Sequence, residues 1–166
     1  MTPDLADIYD THSKALFAFL LNFTRSEADA CDVMQDVFLK IAERPSLAGG
    51  ARDLRPWLIQ MAHRKALDMF RRKATRERVV LAASAEVPIF APCDEGDEFH
   101  AAVSRALVEL PEEQRAVVHL KIWEDMTFAQ IAETLGIRAN TAASRYRYGL
   151  DKLESLLRPI QNEHQP

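Results

Sequence analysis

The sequence is poor in the features that mark secreted, disulfide-bonded or membrane-spanning proteins. Its 166 residues include two cysteines. Cys31 and Cys93 are far apart and form no Cys-x-x-Cys pair, which excludes a disulfide framework and disfavours a zinc site. No run of about 18 apolar residues is present, so no segment is expected to span a membrane. The first four residues are polar and acidic, unlike a signal peptide. We therefore expect a cytoplasmic protein.

Motifs of the common enzyme classes are also absent. The sequence has no Gly-x-Gly-x-x-Gly, no P-loop and no Gly-x-Ser-x-Gly, the short patterns that cradle phosphates or present a nucleophile. Its five histidines are scattered and form no His-x-x-x-His pair. His12 and His119 lie in apolar stripes, where packing is the expected role. We predict that the protein is not an enzyme and holds neither a metal nor any other cofactor.

What the sequence does have is a strongly segregated charge. The formal net charge is −4, yet residues 52–78 hold nine basic and three acidic side chains, and residues 138–158 hold five basic and two acidic ones. Residues 1–51 and 79–137 are acidic. Because local rather than total charge attracts a phosphate backbone, the two basic segments are candidate nucleic-acid surfaces. The alternative for each is a solvated helix face.

Apolar residues at helical spacing predict three helices in the first half of the chain. Thr2-Pro3 is a start signal for the first helix, since a capping side chain precedes a proline. Ser26 is a capping signal for the second, which extends to about Arg44 before proline and glycine residues break it. The third extends over about 53–78. These helices predict one small domain.

The periodicity is lost over residues 80–96, which contain prolines, a glycine and acidic side chains and so predict a flexible linker. This linker separates a domain at 1–79 from a second helical domain at 97–160, and residues 161–166 form a tail. No strand pattern is convincing. The predicted fold class is therefore all-α, with two small helical domains joined by a flexible linker and a helix-turn-helix in the C-terminal one.

A helix-turn-helix pattern carries the clearest functional signal. Thr127 and Gln130 form a capping-box signature, Gly136 supplies the turn, and a polar, basic helix at about 139–157 follows. This order allows the second helix to enter the major groove of DNA, where polar side chains near its start contact phosphates and base edges. The candidate DNA contacts are Arg138, Asn140, Thr141, Ser144, Arg145 and Arg147. An ordinary helical hairpin with a glycine turn is the alternative.

The second block closely resembles the promoter-binding C-terminal domain of extracytoplasmic-function (ECF) bacterial sigma factors. The matching stretches are 106–115, 127–137 and 140–145. The first block resembles the same family's domain for core polymerase and the −10 promoter element. There the matching stretches are the acidic 29–38 and the aromatic and basic 54–58 and 66–72. Two motif sets in the family's order are more specific than either alone, and the resemblance covers nearly the whole chain.

The resemblance implies a function for each segment. The acidic second helix would dock on the polymerase through side chains that share one face at i, i+3 and i+4 spacing, namely Asp32, Gln35 and Asp36. The third helix would hold the melted −10 element, which requires a basic groove and a pocket for unstacked bases. Its candidate residues are His63, Arg64, Arg71, Arg72, Lys73 and Arg76. The C-terminal helix would read the −35 element in duplex DNA.

Several of these residues have a second interpretation. The acidic face of the second helix is either a polymerase contact or a stripe of solvated surface. The spacing of its residues fits both. Trp57 either stacks on a base or packs in the core. Tyr146 and Tyr148 face apart on their helix, so we expect one to pack and the other to donate to a phosphate.

The implied partners are core RNA polymerase and promoter DNA, with an anti-sigma factor as a further candidate. No membrane insertion is expected, and the free protein should be a monomer. The alternative function is a conventional helix-turn-helix regulator with an N-terminal dimerisation or effector domain, which would bind two half-sites as a dimer. A third possibility is an interaction module that does not read DNA, which the basic residues of 138–158 disfavour.

Overall fold

The computed structural model describes residues 3–77 and 98–162, and these ranges are largely helical and contain no strand. The chain divides into two compact units, Met1–Val87 and Pro88–Pro166, which we call unit 1 and unit 2. The prediction of an all-α chain with two small helical domains is confirmed. The predicted linker and most of the predicted tail lie outside the described residues.

Unit 1 is built, in its described part, from three long helices and one short one. They are α1 (Leu5–Thr24), α2 (Glu27–Glu43), α3 (Ser46–Gly49) and α4 (Leu54–Glu77). The Ser26 hydroxyl accepts a hydrogen bond from the Asp29 amide at 3.2 Å, which confirms the predicted cap of the second helix. The three long helices pack against one another around a core of aromatic and aliphatic side chains.

Two details of unit 1 differ from the sequence prediction. The helix α1 begins at Leu5 rather than at Pro3, because Asp4 has an extended backbone (φ −67°, ψ 139°) and is the N-cap residue. The segment after α2, predicted as a simple break, contains α3. Pro45 precedes it with helical backbone angles (φ −59°, ψ −26°), which the proline ring favours. The break is therefore a short helix that buries Ala48.

Phe23 lies at the centre of the aromatic part of this core. Its ring centroid is 5.7 Å from that of Phe19, 5.6 Å from that of Phe70 and 5.1 Å from that of His63. Pairs of aromatic rings at such distances add to the free energy of hydrophobic burial. Because Phe23 belongs to α1 while Phe70 and His63 belong to α4, these contacts hold the basic helix against the rest of the unit.

Unit 2 contains, in its described part, α5 (Glu98–Leu107), α6 (Glu112–Ile122), α7 (Phe128–Leu135) and α8 (Ala139–Asn162). The predicted capping box is present. The Thr127 hydroxyl accepts from the Gln130 amide at 3.2 Å, and the Gln130 side chain accepts from the Thr127 amide at 2.8 Å. Gly136 follows α7 with a φ of 68°, a left-handed conformation that glycine adopts without strain. The helix-turn-helix is thereby confirmed.

Gly149 allows α8 to approach α6 closely. A Cβ atom at this position would lie 2.7 Å from Cγ2 of Val118, and Val118 is fully buried. The buried cluster around this contact consists of Val103, Ala106, Leu107, Leu110, Val118 and Leu153. Since a close-packed core has no room for the extra atom, the distance between these two helices depends on the glycine.

Candidate polymerase and nucleic-acid interfaces

The acidic residues predicted to meet the polymerase lie on the solvent side of α2. Asp32, Gln35 and Asp36 are all exposed. Asp32 and Asp36 line a groove of about 270 Å³ between α2 and α4, and Gln35 is not among the residues that line it. Leu39 continues the same stripe one turn further and is 58% exposed. Sequence reasoning missed Leu39, although its i+7 spacing from Asp32 places it on this face.

The basic residues predicted to meet the −10 element lie in different environments along α4. Arg72, Lys73 and Arg76 line the groove beside α2. Arg71 is exposed and pairs with Asp68 at 3.3 Å. Arg64 lines a second groove. The structure thus brings three of the six predicted residues together and sets two others apart from them.

His63 is the least accessible of the six residues predicted to meet the −10 element. Its residue surface is 9% exposed, and its ring lies against Phe23 in the aromatic core. The side chain therefore packs between α1 and α4 and does not belong to the exposed basic surface. The sequence carries a signal for this, since His63 is four residues before Leu67 and seven before Phe70, on the apolar stripe of the helix.

The predicted polymerase face and part of the predicted DNA face lie opposite each other across the α2–α4 groove. Nζ of Lys73 is 2.5 Å from Oδ2 of Asp29, and Nζ of Lys65 is 3.8 Å from Oδ2 of Asp36. Sequence reasoning treated the two faces as separate and named neither Asp29 nor Lys65 as a site residue. Only the packing of α4 on α2 shows that the acidic and basic segments pair with each other.

The second groove of unit 1 holds the predicted aromatic candidate. It has a volume of about 330 Å³. Its lining residues come from α2, α3 and α4 and are Lys40, Leu47, Trp57, Gln60, Met61, Arg64, Lys65 and Asp68. Trp57 is half-buried, so part of its ring packs on the unit while part borders the groove. The unpredicted helix α3 supplies one wall through Leu47.

The DNA-facing candidates of unit 2 lie on the N-terminal half of α8 and just before it. Arg138, Asn140 and Arg147 are exposed, and Thr141, Ser144 and Arg145 are half-buried. The guanidinium of Arg145 is 3.2 Å from the Glu113 carboxylate at the start of α6. The ion pair holds Arg145 against α6.

The two tyrosines of α8 have different surroundings, as predicted. Tyr146 is half-buried against the core cluster, and its ring centroid is 5.6 Å from that of Phe128 on α7. Tyr148 is 57% exposed and lies seven residues after Thr141, on the same face of the helix. The Arg147 guanidinium lies 5.3 Å from the Tyr148 ring centroid. Tyr148 therefore joins the candidate contacts, and Arg147 lies on the flank of that face.

Within 3–77 and 98–162, no group of three or more His, Cys, Asp or Glu residues is placed to hold a metal ion. Among the helices described, none combines the length and apolar character that crossing a membrane requires. Cys31 is exposed on α2, and Cys93 lies outside the described residues.

Two domain families match the chain in the order of its two units. The model of sigma-70 region 2 matches residues 8–76, and the model of sigma-70 region 4 matches residues 100–153. These matches fall on the helices that carry the α2–α4 groove and on those that form the helix-turn-helix. The chain is thus defined as a sigma factor of the sigma-70 class.

Full-length relatives narrow that class. The chain is 32% identical over 159 residues to the ECF RNA polymerase sigma factor SigL of Mycobacterium tuberculosis, covering 92% of this chain and 88% of the relative. It is 30% identical over 164 residues to the RNA polymerase sigma factor CarQ of Myxococcus xanthus, covering 95% and 91%. The chain belongs to the ECF family of RNA polymerase sigma factors. It is a transcription initiation factor that acts with RNA polymerase in promoter recognition.

Solved structures share the fold. The sigma factor RpoE from Bartonella quintana, in complex with the anti-sigma factor NepR, superposes with a TM-score of 0.76 at 21% identity, covering 87% of this chain and 90% of that one. CnrH, in complex with the cytosolic domain of CnrY, gives a TM-score of 0.64 at 24% identity, covering 93% and 88%. The alternative of a conventional helix-turn-helix regulator is not favoured.

Proposed function

We propose that the two units divide promoter recognition between them. A domain at 1–79 within unit 1 binds core RNA polymerase through the exposed face of α2 and holds the −10 element along α4. A domain at 97–160 within unit 2 reads the −35 element through α8. The observation that carries this proposal is the combination of an exposed, basic recognition helix after a glycine turn with a second basic helix that borders two grooves.

The geometry of α8 supports the −35 assignment. The capping box and the left-handed Gly136 set the angle between α7 and α8, and a helix held in this way can enter a major groove about 12 Å wide. Arg138, Asn140, Thr141 and Ser144 stand at the start of α8, the end that contacts base edges in such motifs. Arg145 and Tyr148 follow on the same side and suit phosphate or base contacts.

The surroundings of Trp57 support the −10 assignment. Melted DNA is bound by basic side chains that follow the backbone and by aromatic or apolar surfaces that receive bases. The second groove offers both, because Lys40, Arg64 and Lys65 border the same space as Trp57 and Leu47. Arg72 and Arg76 extend the basic surface along α4. The candidate −10 contacts are therefore Arg64, Arg71, Arg72, Lys73 and Arg76, with His63 as a packing residue.

The exposed stripe of α2 supports the polymerase assignment. Asp32 and Asp36 present carboxylates, Gln35 presents an amide, and Leu39 adds an exposed apolar side chain beside them. An apolar side chain surrounded by polar ones is the usual composition of a protein interface. We propose that these four side chains form the contact with the polymerase.

Three further properties complete the proposed function. The protein itself catalyses no reaction, since a sigma factor supplies binding and positioning to the polymerase. It works in the cytoplasm, where the polymerase acts. An anti-sigma factor is a proposed partner, because the related folds of RpoE and CnrH were solved with proteins that bind them, NepR and the cytosolic domain of CnrY.

Reconstitution with bacterial core RNA polymerase tests the proposal. We expect transcription from an ECF-type promoter to require this chain, and we expect the free chain to be a monomer by light scattering. Promoter DNA should bind more tightly to the complex with core enzyme than to the free chain. A chain that binds no core enzyme but binds duplex DNA as a dimer would overturn the assignment.

A further inference from the structure

Lys65 occupies a position between the two grooves of unit 1. It lines the α2–α4 groove and also borders the groove beside Trp57. Its side chain is 36% exposed, and its Nζ lies 3.8 Å from Oδ2 of Asp36. Asp36 is a proposed polymerase contact, whereas Lys65 borders the groove beside Trp57 and is not one of the five proposed −10 contacts. One cation thus lies within reach of a polymerase-facing carboxylate and of the proposed DNA surface.

The two ion pairs across the α2–α4 groove differ in how firmly they are held. The Lys73–Asp29 pair is short, at 2.5 Å, and the Asp29 side chain is 14% exposed. The Lys65–Asp36 pair is longer, at 3.8 Å, and the Asp36 side chain is 60% exposed. Exposed pairs are weak because water competes with both partners. The Lys65–Asp36 pair is therefore the one whose members can exchange partners.

Lys65 also continues the line of proposed DNA contacts along α4. Arg72 and Arg76 lie seven and eleven residues further on and share its face of the helix, and all three side chains line the same groove. With a rise of 1.5 Å per residue, they span roughly 16 Å. A DNA strand that follows Arg76 and Arg72 toward the groove beside Trp57 passes Lys65 on the way.

We propose that Lys65 is a further contact to the promoter backbone and that Asp36 controls its availability. In the free chain, Asp36 neutralises Lys65. When Asp36 turns to a basic or polar group of the polymerase, Lys65 becomes available to a phosphate, so polymerase binding strengthens DNA binding. Because such coupling is reciprocal, DNA also strengthens polymerase binding. This inference rests on the proposed function of α2 and α4.

Binding of the full free chain to a fluorescein-labelled oligo(dT) strand tests the inference, since this probe reports backbone contacts without sequence preference. In the free chain, where Asp36 neutralises Lys65, Lys65→Gln should reduce the dependence of log affinity on log salt by less than about 0.7, the value of one contact to a single strand. In an Asp36→Asn background, which releases Lys65, the same change should reduce it by about 0.7. Lys65→Arg, which keeps the cation, should restore it. Asp36→Asn should raise the affinity about two- to fivefold, as expected for release from an exposed ion pair.

Two comparisons distinguish the release of Lys65 by Asp36 from the general effect of removing one negative charge from the chain. Glu27→Gln removes the same charge from the opposite face of α2, nine residues from Asp36, and should raise the affinity by less than Asp36→Asn. In a Lys65→Gln background, Asp36→Asn should lose its effect. An equal effect of Glu27→Gln, or an effect of Asp36→Asn that persists without Lys65, would overturn the inference. Circular dichroism of each variant checks that helicity is unchanged.

The holoenzyme provides the second readout. With saturating core enzyme, Lys65→Gln should reduce the dependence of log promoter affinity on log salt by about 0.7, because Lys65 is then available to a phosphate. Unchanged salt sensitivity would contradict a promoter contact by Lys65. The proposed function and the inference fail in different ways. If the proposed function is wrong, the wild-type chain supports no transcription with core enzyme. If only the inference is wrong, that transcription remains intact.

Discussion

The two units present their cations in different ways. In unit 1, the basic helix α4 lies beside an acidic helix, and Lys73 and Lys65 pair with carboxylates of α2. In unit 2, Arg145 pairs with Glu113. Arg138, just before α8, and Arg147, within its N-terminal half, are exposed. The acidic excess of residues 1–51 therefore balances the basic excess of 52–78 in space. Under the proposal that polymerase binding releases Lys65 from Asp36, unit 1 depends more on a partner than unit 2 does for presenting its cations.

Glycine substitutions in the two units test the close approach of α8 to α6, which is a feature of unit 2. Gly149→Val should lower the free energy of unfolding of unit 2 by about 1–3 kcal/mol, since overpacking a filled core has that cost and Val118 lies 2.7 Å from the added Cβ. Thermal or urea unfolding of the full chain would measure the loss. Gly50→Val is the control in unit 1, because the atoms nearest its added Cβ are 3.9 Å away. An equal loss at both glycines would contradict the packing argument.

Charge reversal at Asp36 tests whether the acidic face of α2 in unit 1 contacts the polymerase. Asp36→Arg should weaken binding to core polymerase about tenfold, which corresponds to roughly 1.4 kcal/mol, because a polar contact is lost and a like charge meets the polymerase. Titration of a fluorescently labelled chain with core enzyme would measure it. Glu27→Arg makes the same change on the opposite face of α2 and should leave the affinity near that of the wild type. Normal core affinity of the Asp36 variant would show that the α2 stripe is solvated surface.

Variants of the Arg145–Glu113 pair test how unit 2 presents its cations to DNA. Their expected effects on DNA affinity are the smallest of those predicted. Arg145→Ala should reduce the slope of log affinity against log salt for a −35 duplex by about 0.9 if it contacts one phosphate, or relax base preference if it contacts a base. Glu113→Gln should raise duplex affinity by about twofold, since its pair with Arg145 is exposed on one side. An unchanged slope and promoter profile for Arg145→Ala would remove this residue from the interface.

A large part of the fold was predictable because its signals are local. The Thr127–Gln130 capping box, the Ser26 cap and the Gly136 turn each depend on residues within one helical turn, and all three are present as predicted. The start of α1 and the short α3 were missed. Both depend on the backbone angles of single residues, Asp4 and Pro45, which composition and periodicity do not specify.

The sequence predicted which types of residue form the candidate site better than it predicted which of them share an exposed surface. Spacing placed Asp32, Gln35 and Asp36 on one face of α2, and they are exposed together. Spacing alone did not separate the buried His63 from the exposed arginines of α4, because a histidine is equally suited to a core and to a phosphate contact. It also left open which of Tyr146 and Tyr148 packs, which only the contact of Tyr146 with Phe128 decides.

By itself, the sequence determined the helical class, the two-block organisation, the helix-turn-helix and the family resemblance, since these follow from periodicity, caps and motif order along the chain. The tertiary structure alone decided which charges meet. Asp36 and Lys65, or Glu113 and Arg145, are 29 and 32 residues apart in the sequence and come together through helix packing. Helix packing depends on the volumes of side chains that meet in space, as at Gly149. A local sequence pattern does not specify which residues those are.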